Sequence, residues 1–242
     1  MKKIFFASDL HLGSPNNKES LKREKHFVKW LNSIKNEAEA IYLLGDIFDF
    51  WFEYNKVVPK GFTRLLGKLS ELTDSGIDIY FFTGNHDMWT YTYFKNEIGI
   101  KKIYQKPIKI KLNGKLFFLG HGDGIGNGDF FFKILKSLFK SSICQFFFSL
   151  IHPNIGISIA QFWSKKSRES KEGSMDKHEN LINFCYQKME KDKIDYFIFG
   201  HKHKDEKIKI GKNTFYINLG DWINLNSYAV FDGKKIDLKY FN

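Results

Sequence analysis

Five short clusters in the 242-residue chain carry side chains able to grip a metal ion. They are Asp9-Leu10-His11, Gly45-Asp46-Ile47-Phe48-Asp49, Gly84-Asn85-His86-Asp87, Gly120-His121-Gly122-Asp123 and Gly200-His201-Lys202-His203. Carboxylate and imidazole bind Mn, Fe or Zn, and the lack of thiolate in the clusters argues against a closed structural zinc site. Singly, each is commonplace. Asp-x-His is background, Gly-Asp-x-x-Asp often caps a helix, Gly-Asn-His-Asp can be a plain turn, and His-x-His can lie on a surface. Their shared position makes them a set, because each follows a short apolar run.

Those runs have the length and composition of buried strands: Lys3–Ser8, Ala40–Leu44, Ile77–Thr83, Leu116–Leu119 and Tyr196–Phe199. Helical patterns at Lys18–Lys35 and Phe62–Leu72 separate the first three. Strand–helix alternation predicts parallel βαβ units, and parallel sheets bind ligands at the carboxyl ends of their strands. Five strands would then deliver Asp, Asn and His to one edge. In an extended chain, Asp9 and His11, and likewise His201 and His203, would share a face. A Gly before Asp46, Asn85, His121 and His201 lets the backbone turn and leaves room for an ion and a substrate. Asp49, Asp87 and Asp123 are expected to orient His rings or turns. After Lys207 the runs Ile208–Ile210, Thr214–Asn218, Ser227–Phe231 and Ile236–Tyr240 read as antiparallel hairpins, separated by Gly211-Lys212-Asn213 and Asp232-Gly233-Lys234 turns. Two sheets with helices outside accommodate both textures.

The stretch 124–189 interrupts this scheme, dividing a core of residues 1–123 and 190–242 from a helical, Phe-rich cap. Phe130, Phe131, Phe132, Ile134, Leu135, Leu138 and Phe139 alternate with Lys133, Lys136 and Lys140 at amphipathic spacing. The pattern resumes over Ile155–Trp163 after the break at His152-Pro153-Asn154. The cap's aromatics could equally pack on one another as a subdomain. The formal charge of +11 suits an anionic substrate, a nucleic acid, an anionic membrane or simply a Lys-rich surface, so charge alone selects none. Two isolated cysteines, Cys144 and Cys185, fit a reducing compartment. A strand starting almost at the N-terminus is unlike a secretory signal, and the apolar run Ile143–Ile151 is too short to span a bilayer. A soluble chain that touches a membrane is the expectation.

The ordered set of clusters resembles the calcineurin-like metallophosphoesterase superfamily over nearly the whole chain. The resemblance implies an α/β fold, a four-layer α/β/β/α sandwich with two divalent ions. One ion would be held by Asp9, His11, Asp46 and His203, and the other by Asp46, Asn85, His121 and His201, with Asp46 bridging. His86 would steady the transferring phosphoryl group or protonate the leaving oxygen, and Asn85 and His201 would also face substrate. Two ions about 4 Å apart lower the pKa of a shared water and clamp phosphoryl oxygens, which makes hydrolysis of a phosphate bond the implied reaction.

Within that superfamily, Ser8-Asp9-Leu10-His11-Leu12, Gly45-Asp46-Ile47-Phe48-Asp49-Phe50-Trp51, His121-Gly122-Asp123 and the position of the cap are similar to the UDP-2,3-diacylglucosamine pyrophosphatases of lipid A synthesis. That resemblance implies attack of water on the α-phosphorus, giving UMP and 2,3-diacylglucosamine 1-phosphate, with Mn2+ as the expected metal and Fe or Zn as alternatives. Asp129, Ser167, Lys171 and Ser174 stand where the family holds the glucosamine and phosphates. An apolar cap would take two acyl chains, with its Lys face on the anionic inner membrane, placing the protein peripherally on the cytoplasmic side. One departure is clear, since well-known members carry Arg at the position of His86. The rival readings are a hydrolase of dinucleoside polyphosphates, phosphodiesters or phosphoproteins, a nuclease, and a metal-free scaffold. A small soluble substrate does not call for a Phe-rich cap. The spread of basic residues does not form the groove expected for nucleic acid, and every expected ligand is present.

Overall fold

The structure is a computed structural model that describes residues 2–126, 130–169 and 176–242. Strands β1 (Lys3–Ala7), β2 (Ala38–Leu44), β3 (Asp78–Phe82) and β4 (Lys102–Tyr104) pair in parallel, linked by helices α1 (Asn17–Ile34), α2 (Thr63–Asp74) and the single-turn α3 (Tyr93–Asn96). A second sheet contains β5 (Ile108–Leu112), β6 (Lys115–Leu119), β7 (Tyr196–Phe199), β8 (Asp205–Lys209) and β9 (Phe215–Leu219), in the order β5-β6-β7-β9-β8. Here β6, β7 and β9 run parallel while β5 and β8 close the edges antiparallel. The last hairpin, β10 (Ser227–Phe231) and β11 (Ile236–Tyr240), returns to the first sheet beside β1.

The uninterrupted apolar runs follow from burial on both faces. Phe5 and Ala7 of β1 face α1 and α2, whose Phe27, Trp30, Leu31, Leu65 and Leu69 complete that layer. Ile4 and Phe6 point the other way, into the seam between the sheets, where Tyr42, Leu44, Phe82, Phe117, Ile198, Ile217 and Phe231 meet. On the far side of the second sheet, Phe118, Phe197, Phe199 and Tyr216 pack against Leu181 and Cys185 of α7 (Asp176–Met189). The order helix, sheet, sheet, helix is therefore set by strands apolar on both sides.

Helices α4 (Phe130–Phe139), α5 (Ser142–Ser149) and α6 (Pro153–Glu169) lie outside this sandwich. Pro153 opens α6, where its missing N–H costs nothing. α7, within the stretch 124–189, supplies an outer layer of the sandwich. The cap docks through aromatics. Phe148 of α5 lies 4.7 Å from Trp89, 4.8 Å from Phe52 and 5.9 Å from Phe50 between ring centroids, and the Trp89 indole N–H donates to the Phe139 carbonyl at 2.7 Å. Its outer face stays in solvent: Ile143, Phe146, Phe147, Leu150, Ile155, Phe162 and Trp163 are all more than half exposed.

Candidate metal centre

All five clusters meet at the carboxyl ends of β1, β2, β3, β6 and β7. Asp46 is the hub. Its Oδ2 lies 3.2 Å from His121 Nε2, 3.6 Å from His11 Nε2 and 4.0 Å from His86 Nε2. Asp9 Oδ1 stands 3.3 Å from His203 Nε2 and 3.8 Å from His11 Nε2. Ligand atoms of Asp9, His11 and His203 form one close group, those of Asp46, His121 and His201 another, and His11, Asp46 and His86 lie between them.

The backbone reaches this arrangement by a route different from the extended alternation expected of Asp9-x-His11 and His201-x-His203. Asp9, His11, Asp46, His201 and His203 all have φ between 44° and 68°. Left-handed backbone at non-Gly residues costs on the order of 1 kcal/mol each and persists where surroundings over-determine it. Here the loops are stitched together: Asp9 N–H donates to Gly45 C=O, His11 N–H to Asp46 C=O and Trp222 N–H to Asp9 C=O. The buried Arg23 guanidinium of α1 donates to the carbonyls of Leu10, His11 and Ser14 at 2.9, 3.0 and 3.1 Å. At Gly84 and Gly200 the demand is space. A Cβ there would overlap the carboxylates of Asp46 and Asp9 respectively.

Three of the rings are held from behind so that Nε2 points inward. His121 Nδ1 donates to the Leu44 carbonyl at 2.8 Å, His11 Nδ1 lies 3.4 Å from Asp49, and His203 Nδ1 lies 3.4 Å from Asp221. Asp221 is itself fixed by backbone N–H donors from Ile223, Asn224 and Leu225. Asp87 accepts from the N–H groups of Gly84 and Ile47 and ties the second and third clusters together. Asp123 pairs with Lys136 of α4.

The charge balance suits cations. Burial resists ionisation of Asp9, yet the neighbouring His11 and His203 imidazoles hold its carboxyl far below the usual carboxylate range. Burial likewise opposes ionised Asp46, and the His121, His86 and His11 imidazoles outweigh it. Burial pushes the His121 imidazole down, but Asp46 beside it pushes it up to about 10. Burial and the Asp221 and Asp9 carboxylates do the same to His203, also reaching about 10. Burial and the Asp46 charge push Asp87 up to about 7. A field that binds protons this tightly to imidazole also favours divalent cations.

The residues present fit such ions. Among the described residues, Asp9 Oδ1, Asn85 Oδ1 and His121 Nε2 are buried without a hydrogen-bond partner. Their oxygen and imidazole donors match the borderline-hard metals. Of the residues expected to touch substrate, Asn85, His86 and His201 are at this centre, whereas Asp129, Lys171 and Ser174 lie outside the described residues. Ser167 falls in α6, where its backbone alone is described. Asp221, Arg23 and Ser164 (below) escaped the sequence reading. For Asp221 a signal existed, since Asn218-Leu219-Gly220-Asp221 ends a strand in the same Gly-Asp pattern as the second cluster.

The chain belongs to the calcineurin-like phosphoesterase family, whose model matches residues 2–205. It is 38% identical to a UDP-2,3-diacylglucosamine hydrolase of Porphyromonas gingivalis, across 98% of this chain and 97% of that one. A protein of the same name from Histophilus somni is 29% identical, covering 92% of this chain and 93% of its own. Among solved structures, Vacuolar Protein Sorting 29 from Cryptosporidium parvum overlays with a TM-score of 0.47 and 10% identity, covering 98% of this chain and 96% of that one.

Proposed function

We propose that the chain hydrolyses the pyrophosphate bond of UDP-2,3-diacylglucosamine to UMP and 2,3-diacylglucosamine 1-phosphate. The observation that carries the reading is the sharing of Asp46 Oδ2 by imidazoles from separate strand ends, in a chain 38% identical to a hydrolase named for that substrate. Asp9, His11, Asp46 and His203 would hold one divalent ion, and Asp46, Asn85, His121 and His201 the other, with Mn2+ the metal of choice. When bound, the two ions activate a water molecule and neutralise phosphoryl charge. Asp49, Asp221 and the Leu44 carbonyl keep the ligand imidazoles in the tautomer that turns Nε2 inward. His86 lies beside Asp46 with its own Nε2 toward the centre, placed to donate a proton to a phosphoryl or leaving oxygen when it is an imidazolium.

The cap supplies what a lipid substrate needs. Helices α4 to α6 form an apolar unit seated on the loops that carry Asp49 and His86, which supports binding of acyl chains beside the reacting bond. Its exposed face supports peripheral attachment to the cytoplasmic face of an anionic inner membrane, since none of the described helices is long and apolar enough to cross one. Phosphorus NMR of Mn-loaded protein with UDP-2,3-diacylglucosamine tests the reading, with diadenosine tetraphosphate as competitor. Stoichiometric UMP and acylated sugar phosphate are expected. Turnover of the dinucleotide alone would replace the lipid assignment with a small-molecule one.

A further inference from the structure

Ser164 stands apart from the helix that carries it. Its neighbours Phe162 and Trp163 are 66% and 59% exposed, yet Ser164 is 7% exposed. Gly156, Ala160 and Ser164 recur every four residues along α6, a face of small side chains that lets its backbone approach the core closely. A Cβ on Gly156 would press on the Tyr54 hydroxyl and the Phe148 ring. At the end of this face, the Ser164 hydroxyl donates to Asp49 Oδ2 at 3.0 Å and lies 3.0 Å from His86 Nδ1. The Asp49 carbonyl is 3.1 Å from that same nitrogen.

The proton count is restrictive. Both Asp49 groups are acceptors only, so the one Ser164 hydrogen goes to the carboxylate and the Oγ lone pair faces His86. Nδ1 must then carry hydrogen, shared between Ser164 Oγ and the Asp49 carbonyl, which leaves Nε2 to face Asp46 and the reacting region. We propose that Ser164 is a positioning residue, through which the cap fixes the ring orientation and Nδ1 protonation of His86. The proposal rests on the hydrolytic reading above for its kinetic consequence, though not for the hydrogen bonds themselves. It gives the cap a second task, coupling its docking to the group that meets the phosphate.

A double-mutant cycle with an exchange measurement tests this. Ser164→Ala in the full Mn-loaded chain is expected to lower kcat about tenfold on a chromogenic phosphodiester, the scale of one lost hydrogen bond. Mn2+ affinity should stay within about threefold, because the His11–Asp49 contact remains. In a His86→Ala background the same change should cost less than about twofold. In the diamagnetic Zn-loaded protein, the His86 Nδ1 proton should exchange slowly in wild type and at least about tenfold faster in Ser164→Ala. Equal losses in both backgrounds, a parallel fall in Mn2+ affinity, or unchanged proton exchange would each overturn the proposal. Should the wild type prove inert toward every phosphoester, the hydrolytic reading fails while the exchange rates still decide this one.

Discussion

The Nε2 atoms of His11 and His203 face each other 3.1 Å apart, although they arrive from opposite sheets. Asp49 stands behind one ring and Asp221 behind the other, so both Nδ1 atoms have carboxylate partners and both Nε2 atoms are aimed at one point beside Asp9. Such a pair is satisfied by a cation shared between them. Adding Mn2+ to the metal-free protein is therefore expected to stabilise it. At a free concentration 100 times Kd the gain is about 2.7 kcal/mol, or roughly 5–10 °C in Tm for a chain of this size. Calorimetry with and without metal checks this, and an unchanged Tm at saturating Mn2+ would count against the site.

The pH dependence follows from the same carboxylates. His121 and His203 have folded-state values of about 10 against an ordinary 6.5, so the metal-free fold binds protons that the unfolded chain releases. Their contribution to stability is complete below pH 6.5 and fades as pH rises from there to about 10. Metal requires both imidazoles neutral, so loading at pH 8 should expel protons and flatten this decline. Chemical denaturation at several pH values, with and without Mn2+, reads the difference in slope. Parallel slopes would contradict the assignment of these two rings as ligands.

Asp46→Asn and His121→Ala are each expected to lower hydrolysis at least about 10³-fold while the far-ultraviolet circular dichroism stays native. The ligands serve the edge of the sheets and not the seam between them, whose packing comes from residues such as Phe6, Tyr42 and Phe117. Retention of substantial turnover in either variant would remove Asp46 or His121 from the centre.

Asp221→Ala should weaken metal binding about 10- to 100-fold through His203, without removing a ligand. Isothermal titration with Mn2+ measures it. An affinity equal to wild type would show that His203 keeps its orientation unaided.

Replacing Ile143, Phe147 and Phe162 by Ser should lower binding to anionic vesicles and raise KM for the acylated substrate, leaving a small chromogenic diester unaffected. These side chains are 69%, 63% and 66% exposed, so the changes need not disturb the fold. Equal losses on both substrates would argue that the apolar face serves only the packing of the cap.

The sequence made the sandwich and the edge legible because strands buried on both faces leave long apolar runs, and the ligand clusters end them. The strands β4 and β5 were not legible. β5 reads Ile-Lys-Ile-Lys-Leu at a sheet edge, next to Lys106-Pro107, and its alternation is too brief to stand out from a loop. The left-handed backbone at Asp9, His11, His201 and His203 was equally hidden, because it depends on carbonyls and amides that only the assembled loops bring together. Ser164 acts across a long separation in sequence, and Arg23 reaches back to the carbonyls of the loop before α1, both from within ordinary helices. The packing of α7 against Phe118 and Phe197 was likewise hidden, because its composition matches the rest of the stretch 124–189.

Anomalous diffraction from crystals grown with excess Mn2+ shows whether two ions share Asp46. Two peaks roughly 4 Å apart are expected, one bounded by Asp9, His11 and His203 and the other by Asn85, His121 and His201, with Asp46 between them. A single peak remote from Asp46, or none at full occupancy of the surrounding side chains, would contradict it.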